Sequence, residues 1–158
     1  MQIINLVDAP EHLKLLAAWH HNEWGDLNPG QTLEQREQKM QSYLGDQFIP
    51  STYLAIDRHL LGSAAIVEND MDNRKHLSPW LASVYVDQSY RRRGIGSQLV
   101  QHVVDIARLQ GIRNMYLFTP DQEVFYQRLG WCVLEKTLYR GSQVTVMCLQ
   151  IGKKEETL

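Results

Sequence analysis

A chain of 158 residues with 44% hydrophobic and 22% charged side chains is long enough for one domain with a buried core, and its composition excludes a disordered polyelectrolyte. A formal net charge of -2 with no long basic face argues against nucleic acid as the main partner. No apolar run approaches a membrane span and the amino terminus lacks a signal-peptide pattern. Cys132 and Cys148 are too few for a disulfide framework or a metal site, so a cytoplasmic protein with neither membrane partner nor metal is expected.

Gln2 to Val7 reads as a first strand. Asp8 stands three residues before Glu11, the spacing of a capping box, and predicts a helix through about Trp24 with Leu13, Leu16, Ala17, His20 and Trp24 on its inner face. His20, His21 and Glu23 do not form a metal site, because adjacent helical side chains point in different directions. Gly25 to Gly30 is a turn. Thr32 and Gln35 form a second capping box, opening a helix that carries Leu33, Glu37, Met40 and Leu44 and ends at Gly45.

Tyr53–Ile56 and Leu60–Val67 read as antiparallel strands around the turn Asp57–His59, and Gly62, Ala64 and Ala65 are small enough to admit a close neighbour or a ligand. Glu68 to Ser78 is a solvated loop, since its acidic cluster lacks the glycine and terminal glutamate of a calcium-binding loop.

Ser83–Val86 is a short buried strand, followed by the polar turn Asp87–Tyr90, then Arg91, Arg92 and Arg93, then Gly94 and Gly96. From Gly96, apolar residues at Leu99, Val100, Val103, Ile106 and Ala107 recur at helical spacing until Gly111. The first N–H groups of a helix lack intrahelical partners and carry the positive end of its dipole. Glycines let an anion approach those groups, and arginines add charge and forked donors, so the loop Arg91–Ser97 suits a phosphate or pyrophosphate. A P-loop is excluded because Ser97 and Gln98 follow Gly96. A dinucleotide fingerprint is excluded because Leu99 stands where the third glycine belongs.

Met115–Thr119 forms a strand that the intervening helix makes parallel to Ser83–Val86, and two diverging parallel strands would leave a cleft for an extended ligand. Glu123–Leu129 is a brief helix closed by Gly130. Trp131–Tyr139 and Val144–Ile151 form a hairpin, and Lys153–Leu158 is a polar tail.

Two motifs in this order, R-x-x-G-x-G at Arg91, Gly94 and Gly96 and F-Y-Q-R-L-G-W at Phe125–Trp131, resemble the GNAT superfamily of acyl-CoA-dependent N-acetyltransferases over roughly residues 50 to 150. The resemblance implies one α/β domain over residues 1–152, with a mixed, mostly antiparallel sheet of about seven strands, helices on both faces and a splayed parallel central pair. It also implies acetyl-CoA as cosubstrate, with the pyrophosphate on Arg91, Arg92, Arg93, Gly94, Ile95, Gly96 and Ser97, and the pantetheine arm along Val84, Tyr85 and Val86. By the same likeness a backbone N–H of Val84 or Val86 is the oxyanion donor, Tyr126 protonates the leaving thiolate, and Trp24, Asp26 and Leu27 contact an amine acceptor.

The chain departs from the family pattern in two places. Trp80–Val86 contains no carboxylate, which leaves Ser83, Tyr85, Glu68 and Glu23 open as the proton-accepting group or its relay. Thr119 or Asp121 stands near the place of the family's asparagine. The acceptor also stays open between a small amine and a protein N-terminus or lysine, beside a third reading, a non-catalytic acyl-CoA sensor. The likeness allows a monomer or a homodimer.

Overall fold

Alternation in Ser51–Val67 sends Tyr53, Ala55, Leu61 and Ile66 to one core and Leu54 and Leu60 to another, so this hairpin is covered on both faces. Its strands are β2 (Ser51–Asp57) and β3 (His59–Val67). With β1 (Gln2–Asn5), β4 (Trp80–Val86), β5 (Asn114–Thr119), β6 (Cys132–Tyr139) and β7 (Ser142–Gln150) they make a seven-stranded sheet in the order β1-β2-β3-β4-β5-β7-β6. Every pairing is antiparallel except β4 with β5. This is a computed structural model and it describes residues 1–152; the expected Lys153–Leu158 tail lies outside the described residues.

The helices are α1 (Leu13–Trp24), α2 (Leu33–Met40), α3 (Ile95–Leu109) and α4 (Glu123–Arg128). Leu13, Leu16 and Ala17 of α1 and Met40 of α2 pack with Leu54 and Leu60 on one face of the sheet. On the other face, Leu99, Val100, Val103, Val104 and Ala107 of α3 pack with Leu61, Ile66 and Leu81. A third cluster, around Met71, Trp80, Tyr139 and Val146, fills the far end of the sheet.

The capping box of α2 forms as expected: Gln35 N–H donates to Thr32 Oγ1 at 3.1 Å and Thr32 N–H donates to Gln35 Oε1 at 2.8 Å. The Asp8 box does not form. The first strand stops at Asn5, whose Oδ1 accepts from Val7 N–H at 3.0 Å, and two 3-10 turns, Leu6–Asp8 and Pro10–His12, precede α1. Ala9, at φ -148°, breaks the helical run between them, so the regular helix starts only at Leu13. The strand before the glycine loop is longer than expected, starting at Trp80, which pairs with Val67.

Candidate active site

The site begins where β4 and β5 part. They pair only at Trp80↔Tyr116, and beyond that point β4 runs on through Val86 beside an open gap. β4 is also irregular on its β3 side. Ser63 faces Tyr85 and Ala65 faces Ala82, so one residue of β3 spans two of β4 and a bulge is left at Ser83 and Val84. Ser83 has φ 52°, a left-handed conformation that costs a non-glycine residue about 1 kcal/mol or more. Just beyond the bulge β3 carries Gly62, paired with Val86, where an added Cβ would lie 2.5 Å from the Tyr85 carbonyl oxygen.

The arginine-glycine loop closes one end of the gap. Gly94 precedes α3 with φ 80° and its side-chain position is open, while α3 has no side-chain N-cap. The first amides of a fifteen-residue helix therefore face the cleft unpaired, an arrangement that suits a diphosphate. Arg91 lies back over β4, its Nε–H donating to the Val86 carbonyl at 2.8 Å and its guanidinium 5.4 Å from the Tyr85 ring centre. Arg93 turns over Tyr90, at 5.5 Å, and does not line the cleft.

Tyr126 lines the cleft from α4 and is buried. Its ring meets Phe125 and Trp131 edge-on at 4.9 and 6.2 Å. The Trp131 N–H donates to the Tyr126 carbonyl at 3.1 Å, so the G-W end of the motif turns the chain back onto the tyrosine. Burial, reinforced by Asp121, pushes the Tyr126 hydroxyl well above its ordinary pKa, and the group keeps its proton at any physiological pH. Thr119 Oγ1 accepts from the Gln122 N–H at 2.9 Å and so shapes the turn into α4.

The opposite end of the cleft, of about 1240 Å³ in all, is polar and comes from distant segments. Arg36, Lys39 and Tyr43 reach it from α2 and the turn after it, Asp70 from the β3–β4 loop, and Arg140 from the β6–β7 turn. Arg140 donates to the Leu27 carbonyl at 3.1 Å, to Asn28 Oδ1 at 2.9 Å and to Asp72 at 2.9 Å, tying three loops together. Asp70 is crowded but partly open to the cleft. Burial pushes its carboxyl up to about 7, against the pull of Lys39, Arg36 and Arg140. Burial also pushes the Tyr43 hydroxyl up to about 12.

Of the residues expected from sequence, Trp24, Leu27, Val84, Tyr85, Val86, Arg91, Arg92, Gly94, Ile95, Gly96, Ser97 and Tyr126 line this one cleft. Arg93 and Asp26 do not line it. Glu23, Glu68 and Ser83 also face it. Arg36, Lys39, Tyr43, Asp70 and Arg140 were missed because no local pattern marks them; they meet only through the packing of α2 and two loops. His20, expected on the inner face of α1 and not in a metal site, has its Nε2 3.0 Å from Ser63 Oγ and also lines the cleft. Among the described residues no group of three His, Cys, Asp or Glu could hold a metal ion, and no helix is long and apolar enough to cross a membrane.

The acetyltransferase (GNAT) family model matches residues 13–131. The N-alpha-acetyltransferase 30 of Schizosaccharomyces pombe is 30% identical over 102 residues, 62% of this chain and 67% of that protein. Among solved structures, an aminoglycoside 6'-N-acetyltransferase complexed with coenzyme A superposes with a TM-score of 0.76 at 15% identity, covering 99% of this chain and 100% of that one. A Salmonella typhimurium protein solved with acetyl-CoA superposes at 0.69 and 17% identity, covering 99% of this chain and 97% of the other. These structures share the fold, and the family model spans both the glycine loop and the F-Y-Q-R-L-G-W run. The chain therefore belongs to the GNAT family and is an acetyltransferase.

Proposed function

We propose that this enzyme moves an acetyl group from acetyl-CoA directly to a primary amine. The observation that carries the reading is that the amino end of α3, the bulge of β4 and Tyr126 line a single cleft. The residues fit the coenzyme: Gly94 leaves its side-chain position empty beside the helix terminus, and Arg91 and Arg92 supply charge there. Bound there, acetyl-CoA supplies an activated thioester and a thiolate leaving group. The amides of Ile95, Gly96 and Ser97 hold the diphosphate, and the exposed backbone of Val84 to Val86 aligns the arm. The Val84 N–H donates to the thioester oxygen as negative charge develops there. Tyr126, held protonated by burial, gives its proton to the departing sulfur and is restored by the second proton that the amine nitrogen loses as the amide forms.

The acceptor enters from the polar end, beside Trp24 and Leu27. Its ammonium must lose a proton before it attacks. Asp70, a cleft carboxyl with a pKa of about 7, suits that task directly or through water. The relatives' printed names give two acceptor classes to test, α-amines and aminoglycosides. Purified protein is titrated with acetyl-CoA, CoA, NAD and ATP in a thermal-shift assay, and free thiol is then followed against a panel of peptides and small amines. A rise in melting temperature with acetyl-CoA and CoA alone, and thiol release with at least one amine, are expected. Stabilisation by NAD or ATP instead would overturn the coenzyme; stabilisation by CoA with no turnover on any amine would leave a sensor.

A further inference from the structure

Ser63 and His20 are two buried polar groups that meet between α1 and the sheet. Ser63 is 0% and His20 2% exposed, and Ser63 is followed by Ala64 and Ala65. Burying such groups costs free energy unless they are bonded, and these two are. Ser63 Oγ–H donates to the Ser83 carbonyl at 3.0 Å, and His20 Nε2 lies 3.0 Å from the same Oγ. A serine has one proton to give. Since it goes to Ser83, the contact with His20 must run the other way, with Nε2–H donating and Oγ accepting. The chain thus runs in one direction, from α1 through β3 to the bulge of β4.

Its endpoint is one peptide unit. The Ser83–Val84 bond is trans and planar, so its C=O and N–H point in opposite directions. Drawing the carbonyl toward Ser63 turns the Val84 N–H away from β3 and toward the gap that β5 leaves beyond Trp80↔Tyr116. Ser83 sits in a strained left-handed conformation, which persists only if its surroundings hold it. The aromatic rings of Trp24 and Tyr85, centred 5.2 and 6.3 Å from His20, hold the imidazole against tilting.

We propose that Ser63, oriented by His20, is a positioning residue that aims the Val84 N–H at the carbonyl oxygen undergoing attack. The inference rests on the acetyl-transfer reading above. Neither residue touches the reacting atoms; they act through the bulge.

The test uses acetyl-CoA labelled with ¹³C at the carbonyl, bound without acceptor, and difference infrared spectra of the full chain. In the unaltered enzyme the thioester stretch should lie below that of free acetyl-CoA, because a donor polarises it. In Ser63→Ala the band should return toward the free value, and kcat should fall roughly tenfold to a hundredfold, less than or near the loss of a whole oxyanion donor. The affinity for CoA, which has no acetyl carbonyl, should not change. Ser63→Thr should restore both band and kcat. His20→Phe should shift the band partway, and should add nothing in the Ser63→Ala background. If Ser63→Ala does not fold, Ser63→Cys, a weaker donor, should give an intermediate band. An unchanged band in Ser63→Ala, or an equal loss of CoA and acetyl-CoA binding, overturns the proposal while leaving acetyl transfer intact. Failure of the unaltered enzyme to bind acetyl-CoA overturns both.

Discussion

Acid should loosen this fold through His20. The imidazole is 2% exposed, and burial, aided by the nearby Arg36 charge, lowers its pKa from 6.5 to about 3. In the unfolded chain the ring takes up a proton near 6.5; in the folded protein it resists until about 3. The unfolded state thus holds more protons between these values, and stability falls as pH drops through that window. The gap corresponds to a ceiling on the order of 4–5 kcal/mol, of which roughly 2.5 kcal/mol is lost between about pH 6 and pH 4.

Asp70 acts oppositely. Its folded pKa of about 7 lies above the ordinary 3.8, so its contribution is largest in acid and fades as pH rises through that range. The two slopes overlap, so the whole-protein profile does not isolate His20, and a variant must. His20→Gln keeps an N–H donor for Ser63 Oγ and cannot titrate. Urea midpoints for both proteins at half-unit steps over this range should show the unaltered protein falling more steeply, by roughly 1 kcal/mol per pH unit at the steepest. Parallel curves would mean that His20 is not held neutral by its surroundings, and the argument from burial would fail.

Tyr126→Phe keeps the ring packed against Phe125 and Trp131 and removes only the hydroxyl, the proton donor of the proposed mechanism. Turnover should fall roughly 10²–10⁴-fold, with acetyl-CoA binding nearly unchanged by thermal shift. In the unaltered enzyme, Tyr126 itself should cause no loss of kcat through the ordinary tyrosine range near pH 10, because burial raises it further; a limb there that Tyr126→Phe abolishes would refute this. Gly62→Ala places a methyl 2.5 Å from the Tyr85 carbonyl and should cost about 1–3 kcal/mol in urea unfolding, since backbone must move. Arg92→Ala should weaken CoA binding more than Arg93→Ala, and the difference should shrink in high salt, because Arg92 lines the cleft and Arg93 lies over Tyr90. Equal effects at both positions would count against a diphosphate seat at this loop.

What could be read from the sequence was local. The loop from Arg91 to Gly96, the apolar stripe of α3 and the turn at Gly130 each depend on residues a few positions apart, so their order and chemistry are visible along the chain. The Thr32–Gln35 box is of the same kind and formed as expected. The equally spaced Asp8 and Glu11 failed because Ala9 leaves the helical conformation between them, a choice that burial of Ala9 and Leu6 under α1 imposes. Local spacing proposes a cap, and packing disposes of it.

The polar end of the cleft and the bulge belong to tertiary structure alone. Ser63 reaches Ser83 across twenty positions and His20 across forty-three, and Arg140 ties loops more than a hundred residues apart. No periodicity records such pairs, because each partner satisfies its own local rule: His20 fits an inner helix face and Ser63 a buried strand. What makes them a unit is the pairing of β3 with β4 and the seating of α1 on that face. The chain itself thus determines where an anion can be held. The places proposed above for polarising a carbonyl and receiving an amine exist only once the sheet splays and the loops close around the cleft.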